Sequence, residues 1–309
     1  MGIINPPGVQ PAMMRAIYRL GFRFGDKGEK VAGYKSLLVP PDGVPSVANR
    51  ESTVDNNLVE ARKVGLLVET GKAGRLRCSI GPPPEGVDAE RYFASALRTL
   101  LFEERNNPGL FAGGPPEEGA EAEDAGALST VQASEFTRIL TWLNMRAEMG
   151  RALRWGGDAR ERDLQVLGET LPGGGFVRND TRWTGFRPWA VYLGLGRRTG
   201  RGTELIVDPS RAVLEELASH PAEEVAATDL KAWVADRIPV LDGGLYWRQM
   251  REFLKEPEVE GLSAALELAF LRAEAEGVVE FRSRSDYGGP SLRLDGRNVT
   301  HAVVVKSDA

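Results

Sequence analysis

Two stretches of this chain repeat one order of hydrophobic and polar positions: apolar residues at helical spacing, a glycine, then two short apolar runs around a Gly-containing tip. In residues 52–80, Val54, Leu58 and Ala61 fall on one helical face, and Ser52 or Thr53 is placed to cap the helix, with Asp55 as a partner. Gly65 supplies the stop, and residues 66–68 and 76–80 read as strands around Thr70-Gly71-Lys72-Ala73-Gly74. In residues 262–294, Leu266, Phe270 and Leu271 turn inward, Gly277 closes the helix, and residues 285–290 form the hairpin tip. Each copy resembles the third helix and wing of a winged helix-turn-helix; a generic helix followed by a hairpin in an α+β domain fits the same signals.

The same periodicity predicts a first helix over residues 11–23, with Met14, Ile17, Tyr18 and Phe22 inward, and further helices over 88–104 and 131–153. Asp208-Pro209 reads as a helix start, with Asp as cap and Pro at the first position. A helix from Thr228 stops at Pro239, and a turn over 238–244 leads into a helix over 245–255, which completes the second copy as helix, helix, helix, wing. Residues 106–127 read as an acidic linker, because Gly113-Gly114-Pro115-Pro116 precedes Glu117, Glu118, Glu121, Glu123 and Asp124 with no base among them. The expected fold is therefore mainly α with small β-hairpins (α+β), two winged helix units joined by a helical middle region. Its expected domains are 1–85, 86–165 and 166–309.

Charge separates the two copies. Residues 1–80 carry a net +5, residues 81–202 a net −2 and residues 203–309 a net −8. A basic first wing (Lys72, Arg75, Arg77) beside a helix bearing Asn56, Asn57, Arg62 and Lys63 suits a phosphate backbone, where released counterions supply the affinity. The second helix carries Glu267, Glu274 and Glu276, which oppose a polyanion, so that unit is expected to meet a protein; Arg282, Arg284 and Arg293 on its hairpin argue the other way. Between the copies, residues 178–202 hold six arginines and one acid, interleaved with Trp183, Phe186, Trp189 and Tyr192. Such a stretch can track phosphates while rings stack on bases, but Phe186, Trp189, Ala190 and Leu193 also follow the helical rule of a core face. Arg182, Arg187, Arg197, Arg198 and Arg201 are the candidate contacts, the last three in a Gly-rich loop that no core requires.

Chemistry for catalysis is sparse. His220, His301 and the single Cys78 cannot build a common zinc site. Residues 65–73 have the wrong spacing for a phosphate loop and end Lys-Ala. Glu204, Asp208 and Lys231 are the residues from which a Mg-dependent nuclease could be drawn, although Asp208 is explained as a cap. No cofactor, metal or catalytic residue is expected. One cysteine points to a reducing compartment, and no apolar run approaches a membrane span, so the expected location is cytoplasmic.

The start I-N-P-P-G (residues 4–8), N-D-T-R-W followed by W-A-V-Y-L-G-L-G (within 179–196), V-D-P-S-R-A (207–212) and I-P-V-L-D-G-G-x-Y (238–246) resemble the DpdG-type proteins. These are components of bacterial systems that place 7-deazaguanine derivatives in DNA and restrict unmodified DNA. The resemblance implies a defence-system accessory with other subunits as partners, and supplies no catalytic residues. The reading is a non-enzymatic adaptor that binds duplex DNA through its backbone and meets other subunits through the C-terminal winged helix, without membrane contact. The alternatives are a protein-interaction scaffold that never touches nucleic acid, and a transcriptional repressor.

Overall fold

The computed structural model describes residues 2–4, 9–39, 47–71, 74–111, 132–154, 176–177, 180–199, 204–221, 223–257 and 261–305. Among these are ten α-helices and small antiparallel sheets, an α+β chain as expected. The chain divides into two compact units. One gathers Met1–Leu110, Ser129–Phe136 and Asn179–Tyr192; the other gathers Phe111–Leu128, Thr137–Arg178 and Leu193–Ala309.

The first unit begins with α1 (Pro11–Phe24), whose stripe of Met14, Ile17, Tyr18 and Gly21 is buried. Tyr18 stacks on Phe93 at 4.4 Å between ring centroids and donates its hydroxyl to Gly81 O. The expected inward Phe22 is instead 53% exposed: the stripe runs through Gly21, and Phe22 lies one residue, or about 100°, further round the helix. Next come α2 (Val31–Leu38), α3 (Val47–Lys63), β1 (Leu67–Thr70) and β2 (Arg75–Cys78). Helix α3 starts upstream of the expected Ser52 or Thr53 cap, because nothing in Val47-Ala48-Asn49-Arg50-Glu51 breaks a helix. Gly65, at φ 83°, turns the chain from α3 into the hairpin, where Leu67 faces Cys78 and Thr70 faces Arg75. Glu29, between α1 and α2, joins this hairpin by two backbone hydrogen bonds with Leu76 (2.9 and 2.8 Å). Gly28, at φ 60°, permits the approach, since a Cβ there would sit 2.7 Å from Leu76 O.

Helix α4 (Ala89–Phe102) is capped by Asp88, whose Oδ1 accepts from Glu90 N and Arg91 N. The expected linker start at 106 is packed: buried Asn106 donates to Val64 O and Leu100 O, and Asn107 to Leu101 O. The acidic run itself lies outside the described residues. Helix α5 (Ser134–Arg146) follows, and then, after the two-residue β3 (Ala152–Leu153), α6 (Asp180–Tyr192). Residues 179–192, placed by sequence in a region starting at 166, group with the N-terminal elements, where Trp183, Phe186 and Trp189 are buried. Trp183, Phe186 and Trp189 are core; Trp189 Nε1 donates to Val9 O, and Gly185 lies so near Ile4 O that a Cβ would sit 2.5 Å away.

In the second unit β4 (Gly196–Arg198), β5 (Leu205–Val207) and β3 form a sheet of order β3-β5-β4. Arg197 and Arg198 thus stand on a strand, where a Gly-rich loop was expected. Helix α7 (Ser210–Leu217) starts beside Asp208, whose Oδ1 accepts from Ser210 N. Then come β6 (Glu224–Ala226), α8 (Ala227–Arg237), α9 (Leu245–Phe253), α10 (Ala264–Ala275) and β7 (Val279–Arg282). The expected pairing across residues 285–290 does not form. Instead β8 (Leu292–Leu294) pairs with β9 (Arg297–Val299), and β7 pairs with β10 (His301–Val304), which also takes β6 on its other edge. Asp295 (φ 48°) and Gly296 (φ 71°) make the left-handed two-residue turn that closes β8 on β9. His301 is the first residue of β10.

Candidate nucleic-acid interface

Three of the cations or amides expected on the recognition helix are held by their own unit. Asn57 is buried: its Oδ1 accepts from Gln10 N (3.0 Å) and its Nδ2 donates to Thr53 O (2.7 Å), so it positions the start of α1 and is not available to DNA. Arg62 pairs with Glu69 of β1 at 2.7 Å, and Lys63 with the buried carboxylate of Glu60 at 2.8 Å. Asn56 is half-buried. The outer face of α3 also carries acids, with Lys35 of α2 placed 2.5 Å from Asp55 and 4.0 Å from Glu51. The hairpin is more open: Arg77 is exposed, and Arg75 reaches only Gly28 O at 3.3 Å. Lys72 lies outside the described residues.

The central arginines divide between the units. Arg182, on α6, forms an ion pair at 3.0 Å with the buried carboxylate of Glu135, and Arg187 is half-buried on the same helix. Both belong to the packing of α6, whose Trp183, Phe186 and Trp189 rings are core and offer no stacking platform. In the second unit Arg198 is exposed on β4, and Arg197 lies 3.3 Å from Asp208. Asp208, 4% exposed, also receives Arg272 of α10 at 2.6 Å. Arg201 lies outside the described residues.

The carboxylates considered for a metal are spent on arginines. Glu204 pairs with Arg154, and Asp208 with Arg197 and Arg272. No group of three His, Cys, Asp or Glu suited to a metal occurs among the described residues. His220 packs edge-on against Trp233, and His301 lies edge-on to Tyr287 with its Nδ1 2.9 Å from Thr300 Oγ1. Burial pushes the Cys78 thiol up to about 11, which leaves it a poor nucleophile. Burial and the neighbouring Cys78 likewise push the Tyr34 phenol up to about 12.

The I-P-V-L-D-G-G-x-Y motif is structural. Ile238, Val240, Leu241 and Tyr246 are buried, and Tyr246 N donates to Pro239 O. Asp242 accepts from both N and Oγ of Ser263 at 2.6 Å, fastening the start of α10.

A cluster outside the sequence-based expectations lies on α1, where Arg15, Arg19 and Phe22 line a pocket with Tyr18, Pro83, Ala89 and Glu90. Its signal in the chain is the i, i+4, i+8 spacing of Arg15, Arg19 and Arg23.

No curated protein and no solved structure matches the chain. The family model described as DpdG-like matches residues 1–287, from the first helix through the second copy's β7. By that match, the chain belongs to the DpdG-like family.

Proposed function

We propose that this chain is a non-enzymatic, DNA-binding adaptor subunit of the defence-type modification and restriction system to which the DpdG-like family points. The observation that carries this reading is the one-residue bridge of Glu29 to β2, which ties the segment between α1 and α2 to the β1–β2 hairpin in the order α1, bridge, α2, α3, hairpin, an order that fits a winged helix-turn-helix. On that wing Arg75 and Arg77 have no carboxylate partner among the described residues, and Lys72 occupies the tip in sequence. Duplex contact through the wing, with Arg198 as a second phosphate contact, fits these positions better than contact through α3, where Arg62 and Lys63 are paired. No helix among the described residues is long and apolar enough to cross a membrane, and we place the chain in the cytoplasm, with DNA.

The C-terminal copy is proposed to meet another subunit, though not through its third helix, because Glu267 and Glu274 are engaged within the unit. Tyr287, the aromatic residue of segment 285–290, is half-buried against His301. The acids on α3 favour a second reading, a scaffold that does not contact nucleic acid. Salt-dependent binding of the intact chain to duplexes of unrelated sequence separates the two: a steep loss of affinity with salt supports the adaptor, and no binding supports the scaffold. Incubation of plasmid DNA with Mg²⁺ or Mn²⁺ is expected to leave it uncut.

A further inference from the structure

The outward face of α1 is used by neither the wing nor β4. Arg15, Arg19, Phe22 and Arg23 recur at i, i+4, i+7 and i+8, on the flank of the helix beside the buried stripe of Met14, Ile17, Tyr18 and Gly21. Residues 15–27 hold four bases, with Asp26 as the sole acid. Arg19, Arg23 and Lys27 are exposed and make no ion pair among the described residues, whereas Arg15 is held by Glu90 at 2.6 Å.

Phe22 is not an isolated apolar residue on the surface. It forms one wall of a pocket of about 170 Å³ whose other walls include Pro83, Ala89 and Tyr18. A solvated phenyl ring beside an apolar recess, with free guanidinium groups three residues before it and one after, combines the two elements that hold unpaired strands: a stacking surface and cations for the backbone. A protein partner would also cover an apolar ring, but the unpaired Arg19 in the pocket lining and the unpaired Arg23 beside Phe22 on the helix favour a polyanion.

We propose that this face binds single-stranded nucleic acid, with one base stacked on Phe22 against Pro83 and the adjoining phosphates on Arg19 and Arg23. The site is distinct from the duplex contacts assigned to the wing and does not depend on them.

The test uses the full chain in anisotropy titrations against a labelled oligothymidylate of about 16 nucleotides and, separately, a duplex. Phe22→Ala is expected to weaken binding to the single strand about tenfold while leaving duplex binding unchanged, and Phe22→Trp is expected to retain binding. Arg19→Ala with Arg23→Ala should lower the salt slope on the single strand by about 1.4. All these side chains are exposed or at a pocket rim, and an unchanged melting temperature verifies the fold of each variant. Failure of the wild type to bind oligothymidylate overturns the proposal and identifies the face as a protein surface or none. Equal single-strand affinity of Phe22→Ala and wild type overturns it too. Either failure leaves the duplex reading standing, because that is measured in the other titration.

Discussion

After their third helices the two helix-helix-helix-hairpin copies take different paths, and this decides which surface each offers to a partner. In the N-terminal copy the chain turns at Gly65 and pairs at once, β1 with β2, so that α3 keeps Glu51, Ser52, Val59, Arg62 and Lys63 exposed. In the C-terminal copy β7 pairs instead with β10, and the intervening β8–β9 hairpin reaches back to α10. Glu267 Oε1 accepts from Asp295 N at 2.8 Å, and Glu274 pairs with Arg297 at 2.5 Å. No residue of α10 from Ala264 to Glu274 is exposed. Two of the hairpin cations of that copy are also neutralised locally, Arg282 by Glu280 and Arg284 by Glu224, while Arg293 is exposed. Helix order alone therefore does not decide whether a third helix is open; the position of the tight turn does.

Removing the cover is the severest challenge to this contrast. Leu294, 1% exposed, anchors β8, and Leu294→Ala is expected to cost about 2–5 kcal/mol, read as a lower midpoint in urea denaturation. A cost near that of a surface change would show that the hairpin is not part of the core. In the N-terminal copy, Gly28→Ala puts a Cβ 2.7 Å from Leu76 O at a positive φ, and should cost about 1–3 kcal/mol. Amide exchange should then accelerate at Glu29 and Leu76 and stay unchanged in β7 and β10; uniform acceleration would mean that the bridge is not local. Glu274→Gln should cost less, under about 1 kcal/mol, because Arg297 is half exposed, and should raise exchange mainly in β8 and β9.

The smallest effect expected is on pH. Burial raises the Asp242 carboxyl above its ordinary value, against the lowering influence of Ser263. A raised folded-state value means that the unfolded chain releases this proton first. The stabilising contribution of the protonated form is therefore complete below the ordinary carboxylate range and is lost as pH rises through the folded value. Asp242→Asn, which keeps an acceptor for Ser263 N, should flatten that fall in melting temperature with rising pH. An identical pH profile in both proteins would exclude Asp242 as its source.

Much of the fold is legible in the chain. Met14, Ile17 and Tyr18 of α1, Leu266 and Phe270 of α10 and the stop at Gly65 follow from spacing, whereas Phe22 is exposed, Leu271 is half-buried and α7 starts one residue later than expected, with Pro209 as its cap; the helical rule that places Phe186 and Trp189 in a core is correct. Asn57 follows the same rule, since Val54, Asn57, Leu58 and Ala61 stand at i, i+3, i+4 and i+7; its polarity obscures a position that geometry makes internal. Asp295-Gly296 is a strong two-residue turn signal, and it prevails over the longer Gly-Gly-Pro segment before it. The bridge of Glu29 to Leu76 and the ion pair of Arg182 with Glu135 join residues 47 apart in both cases. Local patterning carries no record of such pairs, so the difference between paired and free arginines is not readable from it.

The most direct test of the contrast compares the two wings on one duplex. Lys72→Ala, Arg75→Ala and Arg77→Ala together should weaken anisotropy-measured affinity across unrelated sequences and lower the salt slope by about 0.9 for each phosphate that is no longer neutralised. Arg282→Ala, Arg284→Ala and Arg293→Ala together should leave both unchanged. Equal weakening by the two sets, or weakening by the second set alone, would contradict the assignment of DNA contact to the N-terminal copy.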